Sequence, residues 1–317
     1  MAARPPPRPD ARPDNSSASV SSGGGAICTA PPAIVSFAKP DPFLVLRVHH
    51  IGPLGDLCGL CVGYERGEWR AAQFADHIMD WLPEFALTAS ECQTLGHQNA
   101  TKLLRMAAKR IYQTEKFKRR GEFGELLLHI AIRQVFNSLP AVSKIYYKSA
   151  ANDTVKGFDA VHVVGPPDDL ELWLGEAKFY SDISRAISDV AAELRKHTDT
   201  DYLRDEFSLI VNKIDESWPH APVLKRLLQP EVSLDEVFKR VCIPVLLTYD
   251  SNCVGQHSGC NAKYEQAFRA EVELHQTRFR ESKLPEEIRI HLFLLPLLKK
   301  SELVKVMDRK LQGWQKL

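Results

Sequence analysis

FDAVHVVGPPDDLELWLGEAKF, residues 158–179, is the stretch whose reading decides the fold. Two runs rich in Val, Leu and aromatic residues, 158–164 and 171–179, flank the turn GPPDD and read as a β-hairpin. Side chains alternate between the faces of a strand, so Glu176 and Lys178 share a face with Leu172 and Leu174. Pairing Val164 with Glu171 sets Val163 opposite Leu172, Val161 opposite Leu174 and Asp159 opposite Glu176. One face then collects the apolar partners, with Asp159, Glu176 and Lys178 at its end. Charges that continue an apolar face are costly unless they are paired or bind a metal. Two opposed carboxylates repel, and a divalent cation with Lys178 beside it is the natural compensation.

Oxygen ligands without an imidazole cage suit Mg²⁺ or Mn²⁺ better than zinc. Such an ion polarises a phosphate oxygen and stabilises charge in an in-line displacement, while an adjacent lysine orients or deprotonates a water. Phosphodiester hydrolysis is the reaction class that follows. A third carboxylate comes from the preceding segment, GEFGELLLHIAIRQVF (121–136), which has helical spacing. Glu122 and Glu125 both lie near its start. Glu125 is in line with Leu128, Ile132 and Phe136 and is the expected ligand, with Glu122 the alternative; a solvated first-turn acid is the bland reading of each.

Outward from this centre the order is helix 121–136, strand 143–149 (SKIYYKS), strands 158–164 and 171–179, and helix 184–197. Helices are expected near 202–214, 221–228, 262–280 and 301–314, and strands at 241–249 and 288–295. Pro244 suggests an edge or a bulge, because proline cannot donate to the ladder. Upstream, FLVLRV (43–48) has strand composition, IGPLGDLCGLC (51–61) is turn-rich, and VGYERGEWRA (62–71) is a second strand candidate. Helices follow over 70–81 and 88–114. The expected architecture is α/β, an αβββαβ core with a mixed sheet flanked by helices (116–317), joined to an N-terminal α/β lobe (39–115). Residues 1–38, dense in Pro, Ser, Gly and Arg, read as a disordered extension.

An acidic helix, then Gly157-Phe158-Asp159, then Gly175-Glu176-Ala177-Lys178 resembles the PD-(D/E)XK restriction-endonuclease-like core. That resemblance implies that Asp159 and Glu176 bind metal and that Lys178 assists the attacking water. A closer likeness covers most of residues 43–317: RGEFGELLLH, the stretch from SKIYYKS to KGFDAVHV, and LWLGEAKFYSD resemble the HamA family, nuclease subunits of the bacterial Hachiman anti-phage defence system. It implies DNA cleavage and a HamB-like superfamily 2 helicase as partner. The chain departs from many PD-(D/E)XK enzymes in having no glutamine on helix 184–197.

Composition sets the outer bounds. A chain of 317 residues, 44% hydrophobic, buries a substantial core, and a net charge of +1 supplies no global basic field. Nucleic-acid contact must then be local. Lys102, Arg105, Lys109, Arg110, Lys116, Lys118, Arg119 and Arg120 make 102–120 basic, and Lys118, Arg119 and Arg120 are the candidates for contact with DNA phosphates; a solvated helical face is the competing reading. No run of about 18 apolar residues and no export signal is present, which predicts a cytoplasmic protein with reduced thiols and no membrane partner. Cys58-Gly59-Leu60-Cys61 has zinc-like spacing, with Cys253, His257 and Cys260 as remote ligands, but without a second C-x-x-C these read as ordinary thiols. P-loop, G-x-S-x-G and G-x-G-x-x-G motifs are missing. Two other readings compete with a defence nuclease: a catalytically silent nuclease fold that binds a partner or nucleic acid, and a stand-alone restriction-like endonuclease, for which a sequence-reading lobe would be expected.

Overall fold

Ala160–Val164 and Glu171–Phe179 pair antiparallel in the computed structural model, which describes residues 39–111, 121–143, 157–166, 169–284 and 288–317. The register is the one the apolar pattern predicts, with Val164 opposite Glu171, Val163 opposite Leu172 and Val161 opposite Leu174.

In chain order the elements are β1 (Val45–His50), β2 (Leu57–Cys61), a small hairpin of β3 (Tyr64–Glu65) and β4 (Glu68–Trp69), and helices α1 (Ala71–Asp80), α2 (Leu82–Ala86), α3 (Ala89–Gln93), α4 (Ala100–Ile111) and α5 (Gly121–Phe136). Strands β5 (Leu139–Ser143), β6 (Ala160–Val164) and β7 (Glu171–Phe179) lead to α6 (Ile183–His197), α7 (Thr200–Lys213), α8 (Ala221–Leu227) and α9 (Leu234–Phe238). The chain continues through β8 (Val241–Asp250), α10 (Asn252–Gln256), α11 (Ala262–Arg280), β9 (Arg289–Leu297) and α12 (Lys300–Gln315).

Among the described residues the main sheet has seven strands in the order β1-β2-β9-β8-β7-β6-β5. Its centre, β2, β9, β8 and β7, is parallel; β1, β6 and β5 pair antiparallel at the flanks. Alternate residues of each strand serve two cores. Cys58, Leu60, Trp173, Leu246 and Phe293 pack with α1, α2, α4, α5 and α12. Leu172, Leu174, Val245, Leu247, Leu292 and Leu294 pack with α6, α7, α8 and α11. Burial on both faces explains why the parallel strands are near-continuous apolar runs.

Several expectations are corrected. LCGLC, expected within a turn-rich stretch, is the buried strand β2, paired parallel to β9. The helix expected over 88–114 is divided into α3 and α4, and the Asn99 side chain closes the intervening turn by accepting from Gly96 N at 2.8 Å and donating to Thr94 O at 2.8 Å. Pro244 occupies neither an edge nor a bulge. It lies in β8 between β7 and β9, paired with His291, and the β7–β8 ladder skips Leu174 and Gly175 without a shift of register. β5 ends at Ser143, so most of the strand expected at 143–149 lies outside the described residues, as do residues 1–38 and Lys118, Arg119 and Arg120. Cys58 and Cys61 belong to opposite cores, which separates the zinc-like pair.

Candidate functional site

Asp159 lies immediately before β6, and the β6–β7 ladder ends at the Ala160–Gly175 pair, so the expected pairing of Asp159 with Glu176 is not part of it. The Asp159 N–H donates to Gly175 O at 2.8 Å, which holds it beside the hairpin. Its carboxylate is tied down as well, with Oδ2 accepting from Ala177 N at 2.9 Å. The preceding turn needs its glycine. Gly157 has φ +134°, and a Cβ there would stand 2.7 Å from a carboxylate oxygen of Glu206 on α7. Glu206, itself buried, accepts from Phe158 N at 3.3 Å and so anchors the backbone on which Asp159 sits.

Glu176 and Lys178 project from β7 toward α6, and both are buried. Lys178 Nζ lies 3.9 Å from Glu176 Oε2 and donates to Glu193 Oε2 on α6. Burial alone would lower the lysine pKa, but Glu176, the hydrogen bond to Glu193 and the charge of Asp159 together raise it above its ordinary value. Lys178 is therefore an ammonium at neutral pH, a donor and a positive charge. One turn after Glu193, Nδ1 of His197 lies 2.6 Å from Glu176 Oε1, meeting it obliquely to the direction of a full hydrogen bond. Burial lowers the pKa of His197, against the raising influence of Glu193, Asp159 and Glu206.

The helical carboxylates are placed differently. α5 covers the opposite face of β7: a Cβ on Gly175 would stand 2.7 Å from Leu128 Cδ2, and one on Gly124 would stand 2.9 Å from Phe179 Cβ. Glu125, buried, is thus brought to the same end of β7 from the other layer, and Glu122 is half-buried in the first turn of α5. Of the basic stretch, the described portion is on α4, where Arg110 binds Glu91 at 2.5 and 2.7 Å and Arg105 donates to the carbonyl of Leu317. Among the described residues no group of three or more His, Cys, Asp or Glu side chains is disposed to hold a metal ion. No helix there is long and apolar enough to cross a membrane.

Glu193, His197 and Glu206 are absent from the reading of the sequence. The available signal was the Glu193–His197 spacing, which puts both on one side of the helix that follows the Glu-x-Lys strand. Arg195 and Lys196 between them make the segment look like a solvated, dipole-matched helix end.

Comparison with known proteins bears on this site. A family model described as HamA matches residues 41–311. Anti-bacteriophage protein A of Escherichia coli (strain K12) is 21% identical over 276 residues, covering 82% of this chain and 50% of that protein, so the chain spans half the length of this relative. No solved structure matches the chain.

Proposed function

The chain belongs to the HamA family, and on that premise we propose that it is a metal-dependent DNA nuclease acting in anti-phage defence together with a HamB-like helicase. The observation that carries the reading is the meeting of Asp159, Glu176 and Lys178 at one end of the β6–β7 hairpin. The order α5, β5, β6, β7, α6 and, after α7, α8 and α9, β8 supports a PD-(D/E)XK-like αβββαβ core. The name of the Escherichia coli relative supports the defence role.

The carboxylates of Asp159 and Glu176 are oxygen ligands of the kind that suit Mg²⁺ or Mn²⁺. Mg²⁺ keeps several waters and is commonly held by one or two carboxylates plus substrate phosphates, so it needs no cage of three protein ligands. Asp159 and Glu176 would hold the ion, with Glu125 or Glu122 reaching it from α5. Bound there, the ion would polarise the phosphate and stabilise charge on it. Lys178, an ammonium in the metal-free protein, would orient the attacking water and stabilise negative charge. The basic stretch ending in Lys118, Arg119 and Arg120 leads to the start of α5 and would contact the DNA backbone, which positions a duplex without reading its sequence.

The test is incubation of the purified protein, alone and with the helicase, with plasmid and single-stranded DNA in Mg²⁺ or EDTA, beside Glu176→Gln. Cleavage that requires Mg²⁺ and disappears in the variant is the expected result. No cleavage under any of these conditions, with the complex assembled, would leave a silent nuclease fold as the better reading.

A further inference from the structure

The chemistry proposed above uses Asp159, Glu176 and Lys178, yet the structure commits another helix to the same strand. Glu193 and His197, one turn apart on α6, engage Lys178 and Glu176 respectively. We propose that His197 is a positioning residue whose Nδ1–H fixes the carboxylate of Glu176, and that Glu193 does the same for the ammonium of Lys178.

Three observations carry this. Oε1 of Glu176 is 2.6 Å from Nδ1, within reach of a hydrogen bond once the oblique approach is straightened. The proposal accordingly places the ring proton on Nδ1. The ring is also held from both sides. Tyr202 stacks on it at 4.5 Å with an interplanar angle of 10°, and Phe158 meets it edge-on at 5.1 Å and 67°. Phe158 precedes Asp159, so the clamp on His197 and the backbone of Asp159 are one unit. Finally, the two contacts on Glu176 are divided between its oxygens, His197 at Oε1 and Lys178 at Oε2. A buried carboxylate held this way loses little further freedom when it binds a ligand, and partners of this kind orient metal-binding groups. An ordinary core histidine would satisfy packing without addressing this carboxylate.

The inference rests on the reading of Asp159 and Glu176 as an ion-binding pair, and the experiment separates the two. Mn²⁺ binding to the full-length protein is measured by calorimetry for wild type and for His197→Ala, His197→Gln and His197→Asn, with thermal melts as a check on folding. Asn places an N–H near the position of Nδ1, whereas Gln places it near Nε2. The Ala and Gln variants should weaken Mn²⁺ binding by about 10-fold or more, and Asn should recover most of it. Glu193→Gln should instead lower the rate at saturating metal while leaving Mn²⁺ affinity nearly unchanged. In parallel, ¹⁵N-histidine NMR of the metal-free protein, with the His197 signal assigned by its loss in His197→Asn, should show protonation at Nδ1. Wild-type binding matched by all three His197 variants would overturn the positioning role alone, as would an Nε2–H tautomer. A wild type that binds no Mn²⁺ would overturn the ion-binding reading itself.

Discussion

Lys178 is the residue whose chemistry the structure narrows most. From the sequence it could orient a water or deprotonate one; with Glu176 at 3.9 Å and Glu193 hydrogen-bonded to its Nζ, it is held in the charged form. Lys178→Ala should cost about 100-fold or more in cleavage, the scale of losing one donor to a developing charge, with a melting temperature close to wild type. A variant that cleaves at the wild-type rate would remove Lys178 from the chemistry. Asp159→Asn is nearly isosteric but lacks a ligand charge, so Mn²⁺ affinity and activity should fall together in titrations; unchanged affinity with full activity would dissociate the hairpin pair from the metal. Glu125→Gln should impair cleavage more than Glu122→Gln in the same assay, because Glu125 is the buried one, and the reverse would reassign the helical ligand. The shared face of Glu176 and Lys178 was legible because strand alternation places residues on a face without knowledge of anything outside the hairpin, whereas Asp159 lies just before β6 and is not placed by that alternation. Glu193 and His197 were not, because their meaning depends on α6 lying across that face, which is a tertiary fact.

At the level of elements, close approach of α5 to β7 depends on a residue without a side chain. A Cβ on Gly124 would come within 2.9 Å of Phe179 Cβ and 3.6 Å of Ala177 Cβ, atoms fixed to the strand backbone and unable to turn away. Alanine gains about 1 kcal/mol in helix propensity over glycine, while overpacking costs about 1–3 kcal/mol, so Gly124→Ala should be net destabilising. Gly313 on α12 is the control, since a Cβ there meets nothing within 4 Å, and Gly313→Ala should stabilise by up to about 1 kcal/mol. Chemical denaturation of both variants decides it; equal gains would mean that α5 is free to shift. α5 and the hairpin could be read from sequence because periodicity and turn chemistry agree over them. β2 could not, since LCGLC alternates nothing: all of it is buried, between β1 and β9. Pro244 misled for a related reason. A parallel central strand tolerates it where the ladder to β7 skips a step while pairing with β9 is maintained.

Among the described residues, burial disfavours the charged form of several imidazoles. Burial is the first cause of a lowered pKa at His77, His162, His197, His220, His275 and His291, and His77 is brought to about 4. His77 spends its Nε2 lone pair on the indole N–H of Trp81 at 3.1 Å, which protonation would abolish. The sign of the linkage follows. Below the ordinary histidine value near 6.5 the unfolded chain takes up these protons and the folded chain does not, so stability is full above that pH and is lost as pH falls from about 6.5 toward 4. Each proton bound only by the unfolded state contributes a slope of about 1.4 kcal/mol per pH unit. Asp308 opposes the trend, because burial pushes its carboxyl up to about 6 and the folded chain binds that proton first, and Asp80, also raised by burial, acts in the same direction, but they are two groups against six. The lowered carboxylates Glu84, Glu91 and Asp215 lose their contribution only at lower pH, as their own protons bind. The metal-free protein should therefore melt at progressively lower temperature between pH 7 and pH 5, before the usual range of carboxylate titration. His77→Gln, which keeps an acceptor for Trp81 but has no titrating group, should show a shallower decline over the same interval. Scanning calorimetry across that range tests both, and a melting temperature constant from pH 7 to pH 5 would mean that the histidines titrate alike in the folded and unfolded chains.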